Sequence, residues 1–218
     1  DGSTYCLTGT NSSAIYKVTD ATSPTSGGCS GHTWQGGVAM TNVVTNGDFS
    51  QGTTGWAREN ANTLAVVNGK IRLSDPSTYA TIRILQFHTL VQGHTYYVRV
   101  DGIAKQSVSM SSFEIQYYDL PLSKSVFAAN LSATTTSYSS EFVVDTTVSA
   151  TTRFTVIGNG MTIGSSDYIE FDTALVLDLT TTFGSGSEPT KAQMDAIMQQ
   201  FPDNWFSGTV TADTRGIL

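Results

Sequence analysis

Charge is scarce in this chain. Asp, Glu, Lys and Arg make up only 13% of its 218 residues. So few charges, set among many Thr, Val, Tyr and Phe, fit strands better than helices. The 11 basic side chains are outnumbered by 18 acidic ones, for a net charge of −7. A phosphate backbone is repelled by that balance, so nucleic acid is not an expected partner. No apolar run approaches the roughly 20 residues of a membrane helix, and no cationic segment leads an apolar one, so membrane insertion is not expected. Only two cysteines and three histidines occur, and His32, His88 and His94 have no metal-ligand spacing. There is no Gly-x-Ser-x-Gly elbow, no phosphate-binding glycine loop and no His-Glu-x-x-His. Glu170 and Asp172 alternate onto one strand face as a glycosidase pair would, but nothing else supports catalysis, and an enzyme is not expected.

What the chain has in abundance is Ser and Thr, which together exceed a quarter of it. Its length suffices for one substantial core and is tight for two. From Asn42 a regular series of short β-rich segments runs to Leu179. Thr63–Val67 and Lys70–Ser74 are joined by Asn68-Gly69, a hairpin signal because both central residues take positive φ. Further strands are expected at Tyr79–Phe87, Thr95–Ile103, Ser111–Tyr118, Ser125–Leu131, Ser137–Val144, Thr152–Ile157 and Asp167–Leu177. Alternation sets Ile82 and Ile84 against Arg83, and Phe113, Ile115 and Tyr117 against Glu114, Gln116 and Tyr118. This spacing is that of an antiparallel β-sandwich.

The ends differ. Residues 1–41 read as a strand-loop appendage with too few apolar side chains for a core of its own. Cys6 and Cys29 either close it as one disulfide, which implies an extracellular setting, or stand as independent thiols. The chain opens on Asp1 without an initiator methionine, as expected of a processed product or an excised part of a longer polypeptide. After residue 180 a loop leads to a helix over Thr190–Phe201. There Met194, Ile197, Met198 and Phe201 recur on one face, Thr190 and Gln193 form a capping box, and Pro202 ends the helix. The expected organisation is therefore an appendage (1–41), a sandwich (42–180), and a loop, helix and extension (181–218).

Two segments carry a family resemblance. Val44-Thr-Asn-Gly-Asp-Phe-Ser-Gln-Gly-Thr-Thr-Gly-Trp56 resembles the opening motif of carbohydrate-binding-module jelly rolls of the galactose-binding-like type, and Glu170-Phe-Asp-Thr-Ala174 partly matches their closing strand. Phe183-Gly-Ser-Gly-Ser-Glu-Pro-Thr190, with its flanks from Leu177 to Thr209, resembles a segment of tail and other virion-surface proteins of phages that infect Gram-positive bacteria. The resemblance implies an all-β jelly roll with one short C-terminal helix, on the virion exterior or otherwise extracellular.

It also implies sites. A structural calcium ion would tie the opening strand to the closing one through Asp48 and Asp172, as a hard cation on oxygen ligands. This chain has Ser50 where the family frequently has Glu, one charged ligand fewer, and Asp48 otherwise closes a turn through backbone amides. Sugar recognition needs aromatic faces and planar polar groups. Arg83, Tyr97, Arg99, Glu114, Gln116 and Tyr118 would form such a shelf on the side away from the core; the plainer reading is a solvated face with cross-strand Arg–Glu pairs. Trp56 is assigned to the core, and Trp34 to either a stacking platform or a subunit contact. The functional expectation is a non-catalytic virion-surface or tail protein that binds a host cell-surface or cell-wall glycan, with other virion proteins and a homo-oligomer (a trimer suits a fibre or shell) as partners. The alternative is a structural or decoration protein that uses the jelly roll as an assembly unit.

Overall fold

The computed structural model describes Thr4–Tyr5, Lys17–Val18 and residues 37–106, 112–118, 124–129, 136–145 and 153–218. Asp1–Gly36 and Gly37–Leu218 are two units. In the first, β1 (Thr4–Tyr5) pairs antiparallel with β2 (Lys17–Val18). Cys6, Cys29, His32 and Trp34 lie outside the described residues.

The second unit begins with β3 (Val38–Thr41), β4 (Ala57–Glu59), β5 (Ala61–Val67) and β6 (Lys70–Pro76). The turn between β5 and β6 is made by Asn68 at φ 52° and Gly69 at φ 81°, the two positive values a tight hairpin requires. There follow β7 (Ile82–Phe87), β8 (Thr95–Gln106), β9 (Ser112–Tyr118), β10 (Lys124–Ala129), β11 (Thr136–Val143), β12 (Arg153–Asn159), β13 (Tyr168–Phe171) and β14 (Thr173–Asp178). Two helices, α1 (Leu179–Phe183) and α2 (Lys191–Met198), and a last strand, β15 (Thr209–Ala212), complete it. Val38–Thr41, read from the sequence as part of the appendage, pairs in this unit with Thr209–Ala212.

Two antiparallel sheets face each other in a jelly-roll sandwich. One runs β10-β9-β12-β7-β4, the other β11-β8-β13-β6-β5 with β14 also on β8. Strand alternation sends Ile82, Ile84, Ile115, Tyr117, Phe154 and Val156 of the first sheet against Ile71, Leu73, Val98, Val100, Ile169 and Val176 of the second. Trp56 is core, 7% exposed. Its ring meets Phe49 at 5.4 Å and Phe171 at 5.9 Å, both edge to face. Rings of this size bury about 150–250 Å² each and dominate the stabilisation of such a layer.

Strand β8 serves two partners on one edge, and Gly102 is the reason. Before it, Tyr96–Asp101 pairs with β14; after it, Ala104–Gln106 pairs with β13. Gly102 sits at φ +70°, and a Cβ there would lie 1.9 Å from Asp172 Oδ2. On the opposite edge the register against β11 slips by one residue between Val100 and Ile103, so both of these face the core.

The C-terminal elements cover the other side of the second sheet. Met194, Ile197 and Met198 of α2 pack with Met40, Leu175, Leu177, Leu179 and Phe206 in a separate cluster. The capping box is present: Thr190 and Gln193 each bond the other's backbone. The helix ends at Met198, and the chain turns before reaching Phe201, which still packs against the cluster. Residues 181–183, read from the sequence as loop, belong to α1. Asp178 makes that helix by accepting from Thr181 N at 2.9 Å and Thr181 Oγ1 at 2.9 Å.

The opening and closing strands are joined through Asn42, 5% exposed. Its Oδ1 accepts from Val44 N (3.0 Å) and Val176 N (3.1 Å), and its Nδ2 donates to Phe206 O (3.1 Å). One amide thereby connects three otherwise distant stretches of backbone.

Candidate functional site

The outward side of the five-stranded sheet is a ladder of planar polar groups. In register across β4, β7, β12 and β9 stand Glu59, Arg83, Ile157 and Glu114. The next row is Ala57, Leu85, Thr155 and Gln116, and beyond it come Phe87, Arg153 and Tyr118. Tyr118 is placed here by its backbone only; its side chain lies outside the described residues.

The carboxylate, amide and guanidinium groups on this face are held. Glu114 accepts from Asn159 Nδ2 at 2.8 Å and from Gln116 Nε2 at 2.5 Å, and Asn159 Oδ1 accepts from Thr81 Oγ1 at 3.0 Å. Glu59 pairs with Arg83 at 3.6 Å and, more closely, with Arg153. Arg153 starts one row and two strands away from Glu59's neighbour Ala57, so the register carries its ion pair across Leu85. That explains why Leu85, outside both apolar clusters, is only 2% exposed. Ile157 (2%) and Thr155 (1%) complete a buried strip beneath the polar groups. Among the described residues Thr155 Oγ1 has no hydrogen-bond partner. Phe87, 60% exposed, presents an aromatic ring at the end of the face, with Arg153 6.0 Å from its centroid.

Such a surface suits a polyhydroxylated ligand. Its amides, carboxylates and guanidinium groups donate and accept in fixed directions, and the apolar strip lies closed beneath them. The two carboxylates are engaged by cations or amides.

Tyr97 and Arg99 do not belong to this shelf, which corrects the sequence reading. Alternation does point them away from the core, but from the other sheet and beneath α2. Tyr97 is fully buried in the C-terminal cluster, and its hydroxyl donates to Asp195 at 2.7 Å. Burial first, then that bond, pushes its ionisation well above the usual phenol range. Arg99 grips Asp101 through two bonds of 2.7 and 2.8 Å and lies 3.8 Å from Asp195. Asp195 also accepts from Ser139 (2.7 Å) and Lys191 (2.6 Å). Burial raises its pKa, but bonds from Lys191, Tyr97 and Ser139 outweigh this and hold it below the ordinary carboxylate value. These groups fasten α2 to the sheet.

The two carboxylates expected to hold calcium have other partners. Asp48 accepts from Ser50 N at 3.3 Å and Ser50 Oγ at 3.0 Å, closing its own turn. Asp172 fills the notch at Gly102 and pairs with Lys70 at 2.7 Å. Among the described residues no group of three His, Cys, Asp or Glu is gathered for a metal. The joint between the opening and closing strands is made by Asn42, by Ala174 N on Gly47 O (2.9 Å) and by Trp205 Nε1 on Ala174 O (2.9 Å). Glu170 is bound to Arg72 at 2.6 Å, whose guanidinium lies 3.8 Å from the centroid of the Tyr168 ring.

His88 and His94 stand at strand ends, after β7 and before β8. His94 Nδ1 meets Asp178 at 2.9 Å. His88 is pushed down to about 4 by burial.

Sequence reasoning missed Thr155, Arg153 and Glu59. Only the face alternation of Arg153-Phe-Thr-Val-Ile157 carried a signal for the first two.

No protein-family model and no curated protein matches the chain. Solved structures do. The chain is similar to a family 16 carbohydrate-binding module at 15% identity and TM-score 0.49, covering 63% of this chain and 100% of that one. It is similar to TmCBM61, determined with beta-1,4-galactotriose, at 14% identity and TM-score 0.46, covering 63% and 98%. It also resembles MgGH51, an arabinose-bound α-L-arabinofuranosidase, at 14% identity and TM-score 0.50, covering 76% of this chain and 30% of that one. At 14% identity the likeness to MgGH51 is one of fold alone.

Proposed function

We propose that this chain is a non-catalytic carbohydrate-binding protein and that the outer face of its five-stranded sheet receives the glycan. The observation that carries the reading is the pair of adjacent rows that set Arg83 and Glu114 beside Ile157, and Gln116 beside Leu85 and Thr155. Jelly rolls of carbohydrate-binding modules share the fold. The ligand is a host cell-surface or cell-wall polysaccharide, and the protein acts from a virion exterior. That setting is supported by the resemblance of Phe183–Thr190 and its flanks to virion-surface proteins of phages of Gram-positive bacteria. The engaged state of Glu59 and Glu114, each tied to a cation or amide, supports binding without cleavage.

The test is retention of the chain on a glycan array and on purified Gram-positive cell walls. Gln116→Ala should lower retention severalfold while leaving the melting temperature in place, because a partly exposed amide contributes little to the core. A chain that serves only as an assembly unit is retained by neither support.

A further inference from the structure

Thr155 shares an unpartnered buried hydroxyl with Tyr117, Thr173 and Thr214, and among the described residues it is the one of these on the outward side of the five-stranded sheet. Its hydroxyl is fully shielded and has no hydrogen-bond partner among the described residues, whereas buried hydroxyls are nearly always satisfied. It belongs to the outward side of β12, since Phe154 and Val156 on either side of it point into the core. It stands in register between Leu85 and Gln116. Valine would fill the same space without stranding a hydroxyl, so folding alone gives no reason for threonine here.

The surroundings define what the hydroxyl can meet. Leu85 and Ile157 give an apolar floor, and the Arg153–Glu59 pair passes over Leu85 beside it. Two acids, Glu59 and Glu114, face two bases, Arg83 and Arg153, so the described face carries no net charge. The chain as a whole is at −7. An anionic polymer gains no attraction from such a face and is repelled at long range. A neutral ring loses nothing by its lack of charge, and it offers hydroxyls to every group present.

Accepting the reading of this face as the glycan site, the geometry points to Thr155 as a specificity-determining residue for an uncharged saccharide. A sugar parts the Arg153–Glu59 pair, lays its apolar side on Leu85 and Ile157, and supplies the missing partner of Thr155 Oγ1. The released Arg153 and Glu59 then bond neighbouring sugar hydroxyls. No covalent step is involved.

The experiment titrates the full chain by calorimetry against two panels. One is neutral: cello-, xylo-, manno- and galacto-oligosaccharides. The other is anionic: polygalacturonate, hyaluronate and a poly(ribitol phosphate) teichoic acid. The inference expects binding within the neutral panel, insensitive to salt. Thr155→Val should bind about tenfold more weakly, as the loss of one buried hydrogen bond implies, while melting no lower than the parent. Thr155→Ser, which keeps the hydroxyl, should recover most of the affinity. Equal affinity of the parent and Thr155→Val overturns the role of Thr155 and leaves the glycan reading standing. Binding confined to the anionic panel, weakening with salt, overturns the uncharged ligand in the same way. Absence of binding to both panels and to whole cell walls removes the carbohydrate reading itself, and this inference with it.

Discussion

Replacing Gly102 by Ala tests the architecture of the six-stranded sheet at its most constrained point. Gly102 has φ +70°, a conformation that costs a residue with a side chain about 1–2 kcal/mol. The new Cβ would lie 1.9 Å from Asp172 Oδ2, 2.2 Å from its Cγ and 2.6 Å from its Cβ. The carboxylate can swing away, but the last of these contacts lies close to backbone, so the chain between β13 and β14 must shift. Overpacking of this kind costs about 1–3 kcal/mol. Losing the Lys70–Asp172 pair adds little, because Asp172 is 43% exposed and such pairs contribute under about 1 kcal/mol. The total is on the order of 2–5 kcal/mol, or about 10 °C in Tm for a domain of this size. Circular dichroism melts of Gly102→Ala, Asp172→Ala and the double variant give the assay. The double variant should recover part of the loss, because removing the carboxylate clears two of the three contacts. A Gly102→Ala melt within about 2 °C of the parent, or purely additive losses, would refute the reasoning.

Three further outcomes follow from single groups. Asn42→Ala should cost on the order of 3 kcal/mol, since it strands Val176 N, Val44 N and Phe206 O together; chemical denaturation measures it, and a loss below about 1 kcal/mol contradicts the joint. His88, held neutral by burial with a folded pKa of about 4, binds its proton more readily when unfolded. Stability is therefore full above the unfolded value near 6.5 and falls as pH drops from there toward 4, by up to about 3 kcal/mol. His88→Gln should flatten that part of the pH profile, and an unchanged slope assigns the loss elsewhere. Finally, EDTA should leave the melting temperature of the parent unchanged, because Asp48 and Asp172 are engaged by Ser50 and Lys70; a drop reversed by calcium would show that an ion holds the joint.

Features governed by near neighbours were legible in the sequence. Asn68-Gly69 dictated its turn, Thr190 and Gln193 their capping box, and Ile82-Arg-Ile84 its two faces, because each rule acts over one to three residues. The opening and closing motifs likewise framed the sandwich. Tyr97 and Arg99 show where such reasoning stops. Their outward direction follows from alternation along β8, but which layer lies outside them depends on α2, nearly a hundred residues later. The apolar face of α2 needed a partner, and Leu175, Leu177 and Tyr97 supply it. Sequence alone shows that the need exists without naming the surface that meets it. Asp172 illustrates a second limit. A carboxylate in a closing motif suggests a cation, and here the cation is the Lys70 ammonium, brought alongside by β6 and β13. Thr155 carried only the signal of its face, because a hydroxyl in an alternating strand has no distinguishing neighbour; its lack of a partner appears only once shielding and hydrogen bonds are known. The helix α1 was hidden for a related reason: Leu179-Thr-Thr-Thr-Phe183 favours strand or loop by composition, and the Asp178 cap with the apolar cluster beneath Leu179 overrides it.

The claim that the outer face of the five-stranded sheet receives a glycan is tested most directly by a two-dimensional amide NMR titration of the full chain with a retained neutral oligosaccharide. The account predicts saturable shifts centred on Arg83, Leu85, Glu114, Gln116 and Arg153–Ile157, with β14 and α2 unmoved. Shifts centred on the C-terminal cluster, or none on the five-stranded sheet, would contradict it.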